Sequence, residues 1–197
     1  MTTSSRQTAH DRGITRIAVD VTFLRLEPGE AVEPAPVLPE GTALVRATRP
    51  SVGFYRYLYD TVGEPYCWWL RRVAPDAEIA ALMADPAIAI HVLYRDGEPA
   101  GFFELDARGG RDVNLSYFGL MPHAVGTGVG PALLGIAVAL ARAGSASGVV
   151  RVNTCTADHP KAMPTYLRAG FRPVRTMREI WDIPNRLGLP IPDRLRV

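Results

Sequence analysis

The chain has 197 residues, 47% of them apolar and 21% charged, with a formal net charge of +2; this is the balance of one ordinary folded domain with room for an appended strand or arm. Apart from Lys161 the basic residues are scattered arginines, so no basic cluster points to nucleic acid, and no apolar run reaches the ~20 residues of a membrane span. Cys67 and Cys155 are too few and too far apart for a disulfide framework or a zinc site, so no metal is expected and a cytoplasmic protein with reduced thiols is.

Met1 to Gly13 is polar and lacks the apolar core of a signal peptide, and is expected to be a disordered tail. Ile14 to Leu26 alternates as a strand does, through Ile17, Val19, Val21 and Phe23. Pro28, Pro34, Pro36 and Pro39 make an extended connector up to Gly41, and Thr42 to Thr48 predicts a second, short strand. Ser51 is placed to N-cap a helix through about Thr61, with Phe54, Tyr55, Leu58 and Tyr59 on one side and Gly63 at its end. Pro65 predicts the start of a second helix carrying Trp68, Trp69, Leu70 and Val73. Asp76 predicts a third, with Ile79, Ala80, Leu82 and Met83 at helical spacing before Asp85 and Pro86 close it.

The period then changes to two. Ile88 to Arg95 and Pro99 to Leu105 predict a hairpin about Asp96 and Gly97. Gly109 and Gly110 turn the chain into a further strand, Val113 to Leu120. Pro131 to Ala143 is an almost wholly apolar helix, followed by a strand from Gly148 to Cys155, a short helix from Lys161 to Arg168 and a last strand from Phe171 to Asp182. Ile183 to Val197 is again proline-rich and is expected to drape over the surface. This order gives a mixed α/β sheet, and the helical crossover after Leu120 requires one locally parallel step.

Between that strand and the apolar helix the chain reads Val125, Gly126, Thr127, Gly128, Val129, Gly130. Glycines at alternate positions let a phosphate approach the main-chain N–H groups. Pro131 suits a first helical residue, where its missing N–H costs nothing, and the helix offers its positive end to an anion. The loop is therefore predicted to cradle a diphosphate. It is not a Walker A motif, because no Gly-Lys-Ser/Thr ends it, and Pro131 stands where a dinucleotide fingerprint needs its third glycine. A tight strand-to-helix turn would carry similar glycines, and a second block separates the two readings.

That block runs from Asn153 through His159, Ala162, Tyr166 and Gly170 to Phe171. The two blocks together resemble the GCN5-related N-acetyltransferases (GNAT), whose signature pairs an Arg/Gln-x-x-Gly-x-Gly/Ala loop with an Asn-x-x-Ala-x-x-x-Tyr-x-x-x-Gly-Phe stretch. Val125 to Gly130 match the first and His159 to Phe171 the second. The resemblance spans roughly Thr42 to Asp182 and implies a GNAT-like α/β fold with a mixed, mostly antiparallel central sheet flanked by helices. On that division 14–41 is an N-terminal strand and connector, 42–182 the N-acetyltransferase domain and 183–197 a tail. Two departures stand out: Val125 replaces the usual Arg or Gln, and His159 replaces the Asn that contacts the pantetheine arm.

The activity implied is direct transfer of an acetyl group from acetyl-CoA (coenzyme A) to a primary amine of a small molecule or peptide. The resemblance assigns the cofactor to Phe118, Gly119, Leu120, Val125, Gly126, Thr127, Gly128, Val129, Gly130, Asn153, His159 and Tyr166, with a main-chain N–H within Phe118 to Leu120 meeting the oxyanion. Tyr166 is implied as the acid that protonates the departing sulfur, the alternative being a tyrosine that only packs on the sheet. The attacking amine must be neutral, against an ordinary pKa of ~10. The family glutamate expected eleven residues before Val125 is here Asn114, which cannot take a proton. Glu104, interrupting the apolar strand, is the expected substitute, provided that the turn gives the right parity: a two-residue loop pairs it with 115, a three-residue loop with 114. A chain of water molecules stays open as the base, with His91 and His123 as further substitutes.

Recognition of the acceptor is expected from Tyr55, Tyr59, Asp60, Glu64, Trp68 and Trp69. Acids beside aromatic rings favour a cationic, moderately apolar amine over an anionic one. A catalytically silent acyl-CoA-binding module that serves as a sensor or partner domain is the alternative, and a longer acyl donor is also compatible with the apolar loop. No nucleic-acid or membrane partner is expected, and a homodimer is left open.

Overall fold

The computed structural model describes residues 13–29 and 37–197, so the expected tail over 1–12 and the connector's 30–36 lie outside the described residues. Seven strands, β1 (Ile14–Leu26), β2 (Thr42–Arg46), β3 (Ile88–Arg95), β4 (Glu98–Asp106), β5 (Val113–Leu120), β6 (Val150–Cys155) and β7 (Arg172–Pro184), form one sheet. Its order is β2-β3-β4-β5-β6-β1-β7. Every neighbouring pair is antiparallel except β5 and β6, the parallel step that the crossover requires. Asp96 and Gly97 both have positive φ, 52° and 88°, as a two-residue hairpin turn demands.

The first strand lies far from the second. β1 is inserted between β6 and β7, where Val21 faces Cys155 on one side and Met177 on the other. Ile17, Val19 and Val21 are buried there under a C-terminal segment that brings Leu187, Leu189, Ile191 and Leu195 against them.

Among the described residues five helices cover the sheet: α1 (Val52–Gly63), α2 (Leu70–Val73), α3 (Asp76–Ala84), α4 (Val129–Gly144) and α5 (Ala162–Arg168). Ser51 caps α1 as expected, its Oγ accepting from the Phe54 N–H at 3.1 Å. The helix expected from Pro65 does not form. Glu64–Tyr66 makes one 3-10 turn, Cys67 takes a left-handed conformation with φ 57°, and helix resumes only at Leu70. The cause is Trp68, which folds back over Gly63, where any Cβ would collide with its indole. Its ring packs at a tilt against Tyr59 and Tyr117 with centroids 5.3 and 5.0 Å apart. Aromatic burial of this kind outweighs the few hydrogen bonds of a continued helix.

The apolar side of α4 joins β4, β5 and β6 in one core through Leu133, Leu134, Ala137 and Val138. The other face carries α1 and α3 over Ile90, Val92 and Phe102. α4 begins at Val129, two residues before the expected Pro131, with left-handed Gly128 as its N-cap. Pro131 still falls in the first turn, where its missing N–H has no helical acceptor to serve. No helix among the described residues is long and apolar enough to cross a membrane.

Candidate active site

The parallel strands separate soon after they meet. Only Val113, Asn114 and Leu115 of β5 pair with β6, through Val150, Arg151 and Val152. Beyond that point β5 stays on β4, ending with Leu120 opposite Gly101, while β6 stays on β1. The main-chain edge of Ser116 to Leu120 is left without a strand partner on the β6 side. A bulge reinforces the split: Leu105 faces Leu115, but Glu104 faces Tyr117, and Ser116 is the extra residue. Such an insertion bends its strand and re-aims side chains. Neither register expected for Glu104, opposite 115 or opposite 114, is the one found.

A cleft of about 680 Å3 occupies the split. Its lining includes Phe118, Gly119, Leu120, Val125, Gly126, Gly128, Gly130, Asn153, His159 and Tyr166, ten of the twelve residues expected at a cofactor. Thr127 and Val129 do not line it. The Thr127 hydroxyl donates back to the Ala124 carbonyl at 2.8 Å, and the Val129 side chain is in the core, so these two have only main-chain groups to offer. Gly126 and Gly128 have φ of 83° and 87°, and a Cβ on either would meet no protein atom within 4 Å. The conformation calls for glycine and the space above it is open. Lys161 and Arg168 also line the cleft, with Thr165 between them, two cations that the sequence motifs did not single out.

Tyr166 is 6% exposed and lines the cleft, held edge-on by Phe118 and Phe171. Burial, and secondarily the charge of Asp158, push its phenol pKa up and keep it protonated. Asp158 accepts from the Thr154 hydroxyl at 2.7 Å and the Cys155 N–H at 2.9 Å. Burial pushes its carboxyl pKa up against those hydrogen bonds.

Glu104 does not stand where a base is needed. It is 0% exposed and absent from the cleft wall. Its Oε2 accepts from Tyr55 Oη at 2.6 Å and its Oε1 from Arg71 Nη2 at 3.1 Å. Burial raises its pKa while Arg71 pulls the other way. The bulge at Ser116 and the folded-back Trp68 segment put Arg71 between it and the cleft side, so Glu104 holds Arg71 and is a positioning residue. His91 is buried against Phe103, His123 sits in the 3-10 turn Pro122–Ala124, and neither lines the cleft. Asn114 does, with its amide donating to Ser116 Oγ at 3.0 Å.

Of the residues expected at the acceptor, Tyr59, Trp68 and Trp69 line the cleft, whereas Tyr55, Asp60 and Glu64 do not. Tyr55 is buried on Glu104, Asp60 pairs with Arg72 at 3.4 Å, and Glu64 lies on the exposed 3-10 turn. The expected preference for cationic ligands therefore loses its two acids. Arg71, Asp158 and Glu179 are charged residues of this wall, with Trp181 donating its Nε1–H to Glu179 at 2.8 Å. Glu179 owes its place to β1, since it faces Val19 across the unexpected strand pair.

A split parallel pair with a glycine loop and a buried tyrosine at its mouth defines an acyltransferase fold. Residues 48–171 match the Acetyltransferase (GNAT) family, and the chain belongs to that family. It is similar to the mycothiol acetyltransferase of Nocardia farcinica, with 34% identity over 120 residues, covering 60% of this chain and 37% of that protein. The chain thus spans little more than a third of that relative's length. Among solved structures it resembles a GCN5-related N-acetyltransferase from Sphaerobacter thermophilus with a TM-score of 0.60 at 17% identity, over 93% of this chain and 57% of that one. A conserved protein of unknown function from Staphylococcus epidermidis gives 0.63 at 14% identity, over 84% and 62%. At such identities the likeness establishes the fold.

Proposed function

We propose that the protein is an N-acetyltransferase that uses acetyl-CoA to acetylate a primary amine of a small molecule or peptide. The carrying observation is the unpartnered β5 edge at Ser116 to Leu120, opening into the same cleft as the glycine loop. The residues fit the cofactor. Open space over Gly126 and Gly128 admits a diphosphate to main-chain N–H groups at the start of α4. Lys161 and Arg168 supply positive charge along the lining, so anion binding does not depend on the Arg or Gln that Val125 replaces.

When bound, acetyl-CoA supplies an activated acyl carbon and a thiol leaving group. The N–H groups along Phe118 to Leu120 stabilise charge on the carbonyl oxygen, and Tyr166 gives its proton to the departing sulfur. Glu104, His91 and His123 are all off the cleft wall and Asn114 cannot take a proton, so the surplus proton of the attacking nitrogen passes to water in the cleft, whose lining carboxylates are Asp158 and Glu179.

An amine-library screen following release of the CoA thiol tests this reading, together with a thermal-shift series over acetyl-CoA and longer acyl-CoAs. Stabilisation without thiol release from any amine would instead favour the silent sensor, and stronger stabilisation by a longer chain a different acyl donor.

A further inference from the structure

The acceptor side of the cleft holds an unusual pair of groups on one short segment. Trp69 and Arg71, flanking the start of α2, both line the cleft, and Trp69 Nε1 and Arg71 Nε are buried with no hydrogen-bond partner. Both groups are donors only. A buried donor left unpaired costs about 1–3 kcal/mol; both N–H groups are closed off from solvent, so an acceptor reaches them only when this short segment shifts to admit it, and the exposed part of the Arg71 guanidinium is what the cleft offers directly.

The surroundings fix that guanidinium in place. The Arg71 side chain is 23% exposed, anchored at Nη2 by the buried Glu104, with its guanidinium carbon 5.5 Å from the centre of the Tyr117 ring. Tyr117 immediately precedes the Phe118–Leu120 edge. The main-chain N–H of Arg71 is tied as well, donating to Tyr59 Oη at 3.3 Å. Held at both ends, the guanidinium is preorganised rather than mobile. The opposing half of the sheet brings Glu179 to the same cleft. A fixed cation and a carboxylate lining one cleft complement a ligand carrying both charges.

We propose, resting on the N-acetyltransferase reading, that the acceptor is an amine bearing its own carboxylate, of amino-acid type. Arg71 and Trp69 hold the carboxylate, and Glu179 draws the ammonium end toward the transfer point.

The test compares L-amino acids with their C-terminal amides, which keep the amine and side chain but lose the negative charge. With acetyl-CoA and thiol release as the readout, wild type should favour the acids over the amides by roughly ten- to a hundredfold in kcat/KM, the range of a charge-assisted hydrogen bond. Arg71→Lys should lower kcat/KM for the acids at least tenfold more than for the amides. If Arg71 only staples α2 to β4, the variant changes both acceptor classes equally and shifts the melting temperature, which overturns the assignment. Calorimetry of the same pairs in the presence of coenzyme A reads the preference without chemistry. Acids that bind no more tightly than their amides overturn the inference even if the amides are acetylated. Turnover of none of them, with acids still bound more tightly, leaves the carboxylate site standing and overturns these amines as the acetyl acceptors, while the amine library decides the acetyltransferase reading itself.

Discussion

His91 couples the stability of this fold to pH in a calculable way. It lies on β3, 8% exposed, stacked on Phe103 at 4.8 Å between ring centres, with Nδ1 buried and unpartnered. Burial, followed by the charge of Arg46 on the adjacent strand, holds its pKa down to about 4 from an ordinary 6.5. Between those two values the unfolded chain binds a proton that the folded protein refuses. Stability is therefore full above about pH 6.5 and falls as pH drops toward 4. Linkage over that window gives a loss of about 2 kcal/mol at pH 5 and about 3 kcal/mol at pH 4. His91→Leu cannot titrate and keeps an apolar side chain against Phe103. Denaturant unfolding of both proteins at pH 7.5, 5 and 4 should show the variant's relative stability rising by those amounts, with other titrating groups cancelling in the difference. Stability profiles that run parallel across the whole range would refute the reasoning.

Further outcomes concern the cleft. Gly128→Val strains a left-handed position and fills the space above the loop, and should abolish acetyl-CoA binding in calorimetry; unchanged affinity would move the diphosphate elsewhere. Tyr166→Phe should lower turnover by ~10²-fold while leaving cofactor affinity nearly intact, and wild-type turnover would reduce Tyr166 to packing. Glu64→Lys, on an exposed turn off the cleft wall, should leave the Michaelis constant for amines unaltered; a rise would restore the acidic acceptor site that the sequence pointed to.

Local chemistry was the legible part of this chain. The Asp96-Gly97 hairpin, the Ser51 cap, the crossover between β5 and β6 and the placing of Gly126, Gly128 and Tyr166 each depend on residues close together in sequence. The rest depended on distant contacts. Nothing near Pro65 announces that Trp68 prefers the space over Gly63 to a helix, yet that choice sets where Arg71 points. The extra residue at Ser116 is invisible in a strand pattern, and it shifts Glu104 out of both expected registers, toward Tyr55 and Arg71. Glu179 could be found only by knowing that β1 pairs with β7.

The insertion of β1 between β6 and β7 also has a consequence in time. Thr15 and Asn185, bonded side chain to side chain, are 170 positions apart, and Asp20 and Thr156 are 136 apart. At ribosomal speeds of about 5–20 residues per second, β1 waits on the order of ten seconds for its partners to emerge. Throughout that interval Ile17, Val19 and Val21 have no sheet to enter, while the β2–β5 meander can already assemble around its hairpin. Joining the second half of the sheet is a late, long-range event of the kind that slows folding, and during synthesis the nascent first strand is the segment most in need of a chaperone.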